Sequence, residues 1–267
     1  MSGNTKTLRT RIKSVSSTLQ LTKAMGLVAS SKIRRANINM TNGREYEASL
    51  NKMLSSLTSS PECAKSPFLS KRDGERTRIV IIAGDRGLAG GYNANVFREA
   101  RKYQNATFLP IGKKACERYS APINSAEKFA FQDAYDMAQA LIRDYLDNKF
   151  DKLGIIYTKY YSIMSQEAET CWVLPFEKGE NQQNTGTIFE PDSLTVLNRV
   201  AAEYIAGIIT VKVRESFASE VSARRMAMDS AGKNAKQMIS DLQLEYNRAR
   251  QGAITQEITE IVAGSGN

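Results

Sequence analysis

The sequence predicts an α/β fold in which a small body is carried between two long helices, paired as an antiparallel coiled coil. Three observations lead there. All six prolines (Pro61, Pro67, Pro110, Pro122, Pro175 and Pro191) lie between residues 61 and 191, with none in the sixty residues before or the seventy-six after. A heptad-like apolar seam runs through the first arm, and the middle alternates strand-like and helix-like segments. A proline inside a helix costs about 3 kcal/mol, so its absence leaves both arms free to be helical throughout.

Steps of four and three from Leu8 reach Ile12, Val15, Leu19, Thr22, Gly26, Ala29, Ile33, Ala36, Met40 and Gly43, then Glu47, Leu50, Leu54 and Leu57. A seam of this length signals a coiled coil more than a globular helix. Thr22, Gly26 and Ala29 narrow it, so a partner helix approaches closely there. Arg9, Arg11, Lys13, Lys23, Lys32, Arg34 and Arg35 fall off the seam. The second arm reads as helix from Leu194 to about Ala263, with Asp192 or Ser193 as N-cap. At 1.5 Å per residue, some seventy residues would reach about 100 Å. One helix cannot bury such a stripe alone, so the first arm is expected to pack against it.

In the middle, Arg78 to Gly84 is a buried-strand pattern ending in a glycine-rich turn. Ala94–Gln104, Lys113–Tyr119 and Phe131–Phe150 read as helices. Thr107–Gly112, Leu153–Ser162 and Thr170–Phe176 read as strands, the last two as a closing hairpin. This alternation predicts a mostly parallel, Rossmann-like α/β domain. The division expected is 1–60 helix, 61–75 linker, 76–190 α/β domain and 191–267 helix.

Charge separates the same regions. The chain of 267 residues has a formal net charge of +9 and no histidine. Residues 1–58 hold ten basic and two acidic groups, residues 76–210 sixteen of each, and residues 211–250 eight and five. Without histidine, Ser-His-Asp, Cys-His and His-based zinc chemistry are excluded. Cys63, Cys116 and Cys171 have no metal-site spacing and are odd in number, which points to a reducing compartment. Continuous apolar runs are short, so no membrane span is expected. Four readings suit the basic arm: a presequence, a solvated helix face, a nucleic-acid arm without stacking aromatics, or a surface that docks on an acidic protein.

No active site is expected in the body. Gly84-Asp-Arg-Gly-Leu-Ala-Gly-Gly-Tyr-Asn93 follows a strand, where phosphates often bind, but it is neither GxGxxG nor a P-loop. Asp85 and Arg86 pair locally or face a partner. Asp133/Asp136, Asp144/Asp147, Glu167 and Glu169 read as solvated charges, Lys113-Lys114 as a surface pair, and Trp172 as core or interface filling. At the other end, Ile254, Ile258, Ile261 and Val262 suit an apolar hole in a partner, or packing back on the stem.

Four segments carry a resemblance. Leu21-Thr-Lys-Ala-Met-Gly-Leu-Val-Ala-Ser-Ser-Lys32, the Gly84–Asn93 run, Phe217-Ala-Ser-Glu220 and Asn247-Arg-Ala-Arg-Gln-Gly-Ala-Ile-Thr-Gln-Glu-Ile-Thr-Glu-Ile-Val262 resemble the hallmarks of the gamma subunit of F-type ATP synthases, bacterial type, in that family's order. The family usually ends Gly-Ala, where this chain has Gly264-Ser265. The chloroplast type's insertion with paired cysteines is absent, so thiol control is not expected.

The resemblance implies a central-stalk rotor subunit, present once per complex, that couples ion flow through a membrane ring of c subunits to conformational cycling of the catalytic beta subunits. It implies no catalytic residue, cofactor or metal in this chain. The expected partners are three alpha and three beta subunits, an epsilon subunit and the c ring, with no nucleic acid. The expected location is peripheral, on the cytoplasmic face of a bacterial plasma membrane. Carried over by position, Lys23, Met25 and Lys32 would face an acidic lever loop of the catalytic subunits. Arg250, Gln251, Thr255 and Glu257 would make polar catches in the alpha/beta ring, and Tyr204, Ile208 and Val211 would lie near the c ring or epsilon. Two other classes remain: a basic coiled-coil nucleic-acid binder, and a small nucleotide-binding α/β enzyme.

Overall fold

A computed structural model describes residues 3–72, 74–179 and 189–264. Ser265, the second residue of the atypical ending, lies outside them. The elements are α1 (Gly3–Thr58), β1 (Thr77–Ile82), α2 (Tyr92–Ala100), β2 (Thr107–Ile111), α3 (Lys113–Tyr119), α4 (Phe131–Leu146), β3 (Lys152–Tyr160), β4 (Gln166–Leu174) and α5 (Ser193–Gly264). The chain divides into two compact units, Met1–Ala29 with Arg225–Asn267, and Ser30–Arg224.

In the first unit the early part of α1 pairs antiparallel with the late part of α5. A Cβ on Gly26 would stand 3.6 Å from Met228 Cβ, and one on Gly232 would stand 3.7 Å from Thr22 Oγ1. Thr22, Gly26 and Ala29 are buried on one helix, and Met228, Ala235 and Leu242 on the other. The narrowed seam is thus a close helix contact. Leu8, Ile12, Val15 and Leu19 are half-buried, while Arg9, Arg11, Lys13 and Lys23 are exposed.

The second unit is built on a four-stranded sheet in the order β2-β1-β3-β4. β1 runs parallel to β2 and β3, and β4 is antiparallel to β3. Alternation sorts the strand side chains. Val80, Ile82, Leu153 and Ile155 join a core with α4 (Ala134, Ala138, Leu141), α1 (Leu50, Leu54, Leu57) and α5 (Leu197, Ala201, Ile205). Ile79, Ile81 and Ile156 pack on the opposite face with Val96 and Ala100 of α2 and Ala115 of α3. Helices therefore cover both faces, as a largely parallel sheet requires.

The segment between α1 and β1 also takes part in this core. Cys63 and Phe68 are buried, and Phe68 stacks on Tyr145 with ring centroids 5.9 Å apart. The Arg72 guanidinium lies 3.7 Å from the centre of the Tyr145 ring and donates to the Tyr145 and Phe150 carbonyls.

Boundaries follow local chemistry. Asp192 caps α5, its carboxylate accepting from the Thr195 N–H at 2.8 Å. That bond holds the Asp192 carboxyl below the ordinary range. α4 stops at Leu146, short of the expected Phe150, because Asn148 takes a left-handed conformation with φ 56°. An 18-residue window of α5 reaches a mean hydropathy of 1.4, which the count of unbroken apolar runs missed, and 56% of that window is buried inside the chain.

Candidate functional site

Two of the motif segments, far apart in sequence, meet in the second unit. The loop after β1 lies against α5, and Glu220 sits so close to Gly84 that a Cβ there would be 2.8 Å from Glu220 Cδ. Any larger residue would have to displace that carboxylate. Arg224, one turn further along α5, donates to Glu220 Oε1 and to the carbonyls of Arg86 and Gly87, at 3.4 and 3.3 Å. Burial pushes the Glu220 carboxyl above its ordinary value, and the Arg224 charge and hydrogen bond offset this only in part. At the far side of the loop Asn93 accepts from the Gly84 N–H at 2.9 Å.

Asp85 organises a second layer. Its carboxylate accepts from the N–H groups of Lys113 (3.1 Å), Ala126 (2.9 Å) and Glu127 (3.1 Å) and from the Ser125 hydroxyl (2.6 Å). Burial opposes its charge, but these donors outweigh burial and hold the carboxyl below its ordinary value. No sequence signal identified this four-donor role. The loop is a structural clamp, with Arg86, Gly87 and Leu88 exposed on its outer side.

Several charges expected to be solvated have partners. Asp144 accepts from Arg78 and Lys149, which lower its carboxyl. Asp133 accepts from the Ala130 N–H at the start of α4. Glu169 accepts from the Tyr157 hydroxyl at 2.5 Å and lies 3.4 Å from Lys159. Two of these charges meet partners that only the fold brings near, Arg78 of β1 beside Asp144 of α4 and Tyr157 across the strand pair from Glu169, while Asp133 caps its own helix. Trp172, set opposite Gly154 and edge-on to Tyr103, remains 48% exposed.

The expected partner contacts separate by burial. In the first unit Lys23 is exposed and Met25 half-buried. Arg250, Gln251, Thr255 and Glu257 are all exposed on α5, the Thr255 hydroxyl donating to the Gln251 carbonyl at 3.0 Å. Among and beyond them Ile254, Ile258, Ile261 and Val262 are 46%, 55%, 70% and 65% exposed, so the chain does not fold this end back onto its own stem.

In the second unit Lys32 pairs with Glu127 at 2.5 Å. It borders a cavity of about 630 Å³ that Arg35, Lys128 and Arg214 also line, over Phe129 and Phe217. Tyr204, Ile208 and Val211 do not suit a partner surface. Their side chains are buried in the chain's own interior, Tyr204 packing edge-on against Phe176 and donating to Asn51. The positions that the resemblance assigned to a partner contact have the apolar spacing of a core.

A family model described as ATP synthase matches residues 4–266. Relatives named ATP synthase gamma chain include that of Psychrobacter cryohalolentis, 36% identical over 287 residues and covering 98% of both chains. That of Geotalea daltonii is 37% identical over 278 residues, covering 97% of each. That of Ruminococcus albus is 38% identical over 282 residues, covering 99% of this chain and 98% of the relative. Among solved structures, a chain of the Euglena gracilis mitochondrial ATP synthase (OSCP/F1/c-ring) aligns with TM-score 0.71 at 18% identity, over 99% of this chain and 94% of that one. A chain of the Tetrahymena thermophila mitochondrial ATP synthase central stalk/c-ring aligns with TM-score 0.64 at 22% identity, over 79% and 99%. The solved structures speak for the fold. Taken with the relatives above 30% identity over nearly their full length, the match makes this chain a member of the ATP synthase gamma-chain family.

Proposed function

We propose that the chain is the central-stalk rotor subunit of a membrane-associated F1Fo ATP synthase, coupling ion flow through a c ring to ATP synthesis or hydrolysis. The near-full-length match to gamma chains carries this reading. In it the chain is not a catalyst. Catalysis belongs to the beta subunits, whose sites change affinity as they meet different faces of the rotor. A rotor needs only contacts that differ between orientations, since differential binding is what shifts a population of states.

Residues 1–60 and 191–267 form the helical shaft of this rotor, and residues 76–190 form its foot, with 61–75 joining them. Its partners are three alpha and three beta subunits, one epsilon subunit and the c ring. The complex holds one copy, on the cytoplasmic face of a bacterial plasma membrane. Lys23, Met25 and Lys32 meet an acidic loop of the catalytic subunits. The cationic cavity beside Lys32 supports that contact by charge complementarity. Arg250, Gln251, Thr255 and Glu257 hold the upper ring, supported by their exposure next to uncovered isoleucines. The buried Tyr204, Ile208 and Val211 are left out of the c-ring contact.

The test is replacement of Arg250 and Gln251 together by Ala in the assembled complex. We expect a loss of ATP-driven ion pumping, or of assembly, in vesicles. Unchanged pumping refutes the assignment of those two residues. Failure of the chain to co-purify with a large ATPase, one copy per complex, refutes the rotor reading itself.

A further inference from the structure

β3 outlasts its parallel neighbour. The β1 ladder pairs with β3 from Thr77↔Lys152 to Ile81↔Ile156, yet β3 continues to Tyr160, paired only with β4 on its other side. The last residues of β3 therefore need hydrogen-bond partners where β1 has ended, in an interior that water does not reach.

Helix α5 supplies them. Ser216 Oγ accepts from the Thr158 N–H at 3.1 Å, and the Ser219 hydroxyl donates to the Thr158 carbonyl at 3.0 Å. Glu215 Oε1 accepts from the Tyr160 N–H at 3.1 Å. Ser216 and Ser219 are 1% and 0% exposed, and Glu215 3%. Three side chains on one face of a helix thus do the work of the missing strand.

The same positions reach the other elements. Arg44 of α1 donates to Glu215 Oε1 and to the Tyr160 carbonyl, both at 2.5 Å, closing a three-way junction of α1, α5 and β3. One turn away, Lys212 pairs with Glu47 of α1 at 2.7 Å and lies 4.5 Å from the centre of the Tyr157 ring. Tyr92, at the start of α2, donates to the Ser216 carbonyl at 3.1 Å.

Apolar side chains resist separation but allow sliding and rolling, because dispersion and burial are non-directional. A buried hydrogen bond has a fixed direction and is costly to leave unmade, so it resists rotation. We infer that residues 212–219 of α5, with Arg44, are a torsion joint that fixes the angle of the α/β body about the helix pair within this unit. The joint makes the body and the helices turn together. This rests on the rotor reading and adds to it the residues through which torque passes between foot and shaft.

The test uses the assembled complex, held by its catalytic ring with nucleotide turnover blocked and carrying a probe on the α/β body. The angular spread of the probe reports torsional stiffness. Ser216→Ala/Ser219→Ala, and separately Glu215→Gln, are expected to raise the angular variance at least twofold and, in a separate assay with turnover allowed, to lower ions pumped per ATP hydrolysed. Leu197→Ala opens a cavity in the same unit without touching the joint, and is expected to lower thermal stability while leaving the variance at the parent value.

Unchanged variance in both joint variants overturns the inference, as does an equal rise in Leu197→Ala. If the parent chain, with turnover allowed, shows no ATP-driven rotation against the ring, the rotor reading fails instead, and that outcome is distinct.

Discussion

The same helix lives in two environments. Between Leu197 and Ser222, α5 buries apolar and polar residues on nearly every side, including Lys212, Glu215, Ser219 and Glu220. Between Arg225 and Gly264 it buries little beyond Met228, Ala235 and Leu242, and ends with four large aliphatic side chains uncovered. The first stretch has its partners within the chain, fixed by directional bonds. The second has only a single stripe, against α1, and leaves the rest of its surface exposed. Substitutions in the two stretches should therefore differ both in size and in what they damage.

The largest effect is expected in the sheet. Ile156 is fully buried, and Ile156→Ala should cost about 2–5 kcal/mol in urea unfolding of the chain. A loss below 1 kcal/mol would mean that the body is loosely packed, which undoes the comparison.

Asp85→Asn comes next, at about 1–3 kcal/mol, because the charged acceptor of four donors is replaced by a neutral one. Its pH dependence has a definite sign. The folded-state value of Asp85 lies below the ordinary 3.8, so its contribution is complete above that pH and disappears as the pH falls through the lowered value. The stability gap between parent and variant should be flat near neutrality and close below about pH 4. A gap that widens on acidification would contradict the assigned hydrogen bonds.

Gly26→Ala is expected to act in the opposite direction. The added Cβ meets Met228 Cβ at 3.6 Å, an ordinary contact, and alanine is the better helix former. The isolated chain should gain about 0.4–1 kcal/mol by restricting its unfolded state. A destabilised variant would show that the helices approach more closely there than this spacing allows.

The smallest change in stability is expected at the tip. Ile258 is 55% exposed, and Ile258→Ser should shift unfolding by no more than about 0.5 kcal/mol, while weakening assembly with the catalytic ring in a co-purification assay. A large loss of stability with assembly intact would reverse the roles assigned to the two stretches.

The long-range pattern was legible in sequence because it rests on periodicity. Every seam position from Ala29 to Met40 that the four-three stepping selected is buried, and the strands and helices of the body arise in the expected order. What escaped was chemistry between distant residues. Asp85 meets donors near Lys113 and Glu127, Asp144 meets Arg78, and Ser219 meets Thr158. A lone aspartate or serine carries no periodicity, so its role appears only when the chain has folded. Tyr204, Ile208 and Val211 illustrate the converse: a clear apolar pattern marks burial, but not whether the cover comes from the same chain.

The pairing of Gly26 with Met228 also bears on how the molecule is made. The ribosome releases the seam of α1 first, and its cover only after roughly 200 further residues, a delay on the order of ten to forty seconds at about 5–20 residues per second. Through that interval a basic amphipathic helix waits with its apolar stripe open, and closing so large a loop is intrinsically slow. Biogenesis therefore has a vulnerable window that the finished subunit does not reveal. Slowing translation after residue 191 should lengthen the association of the nascent chain with a holding chaperone.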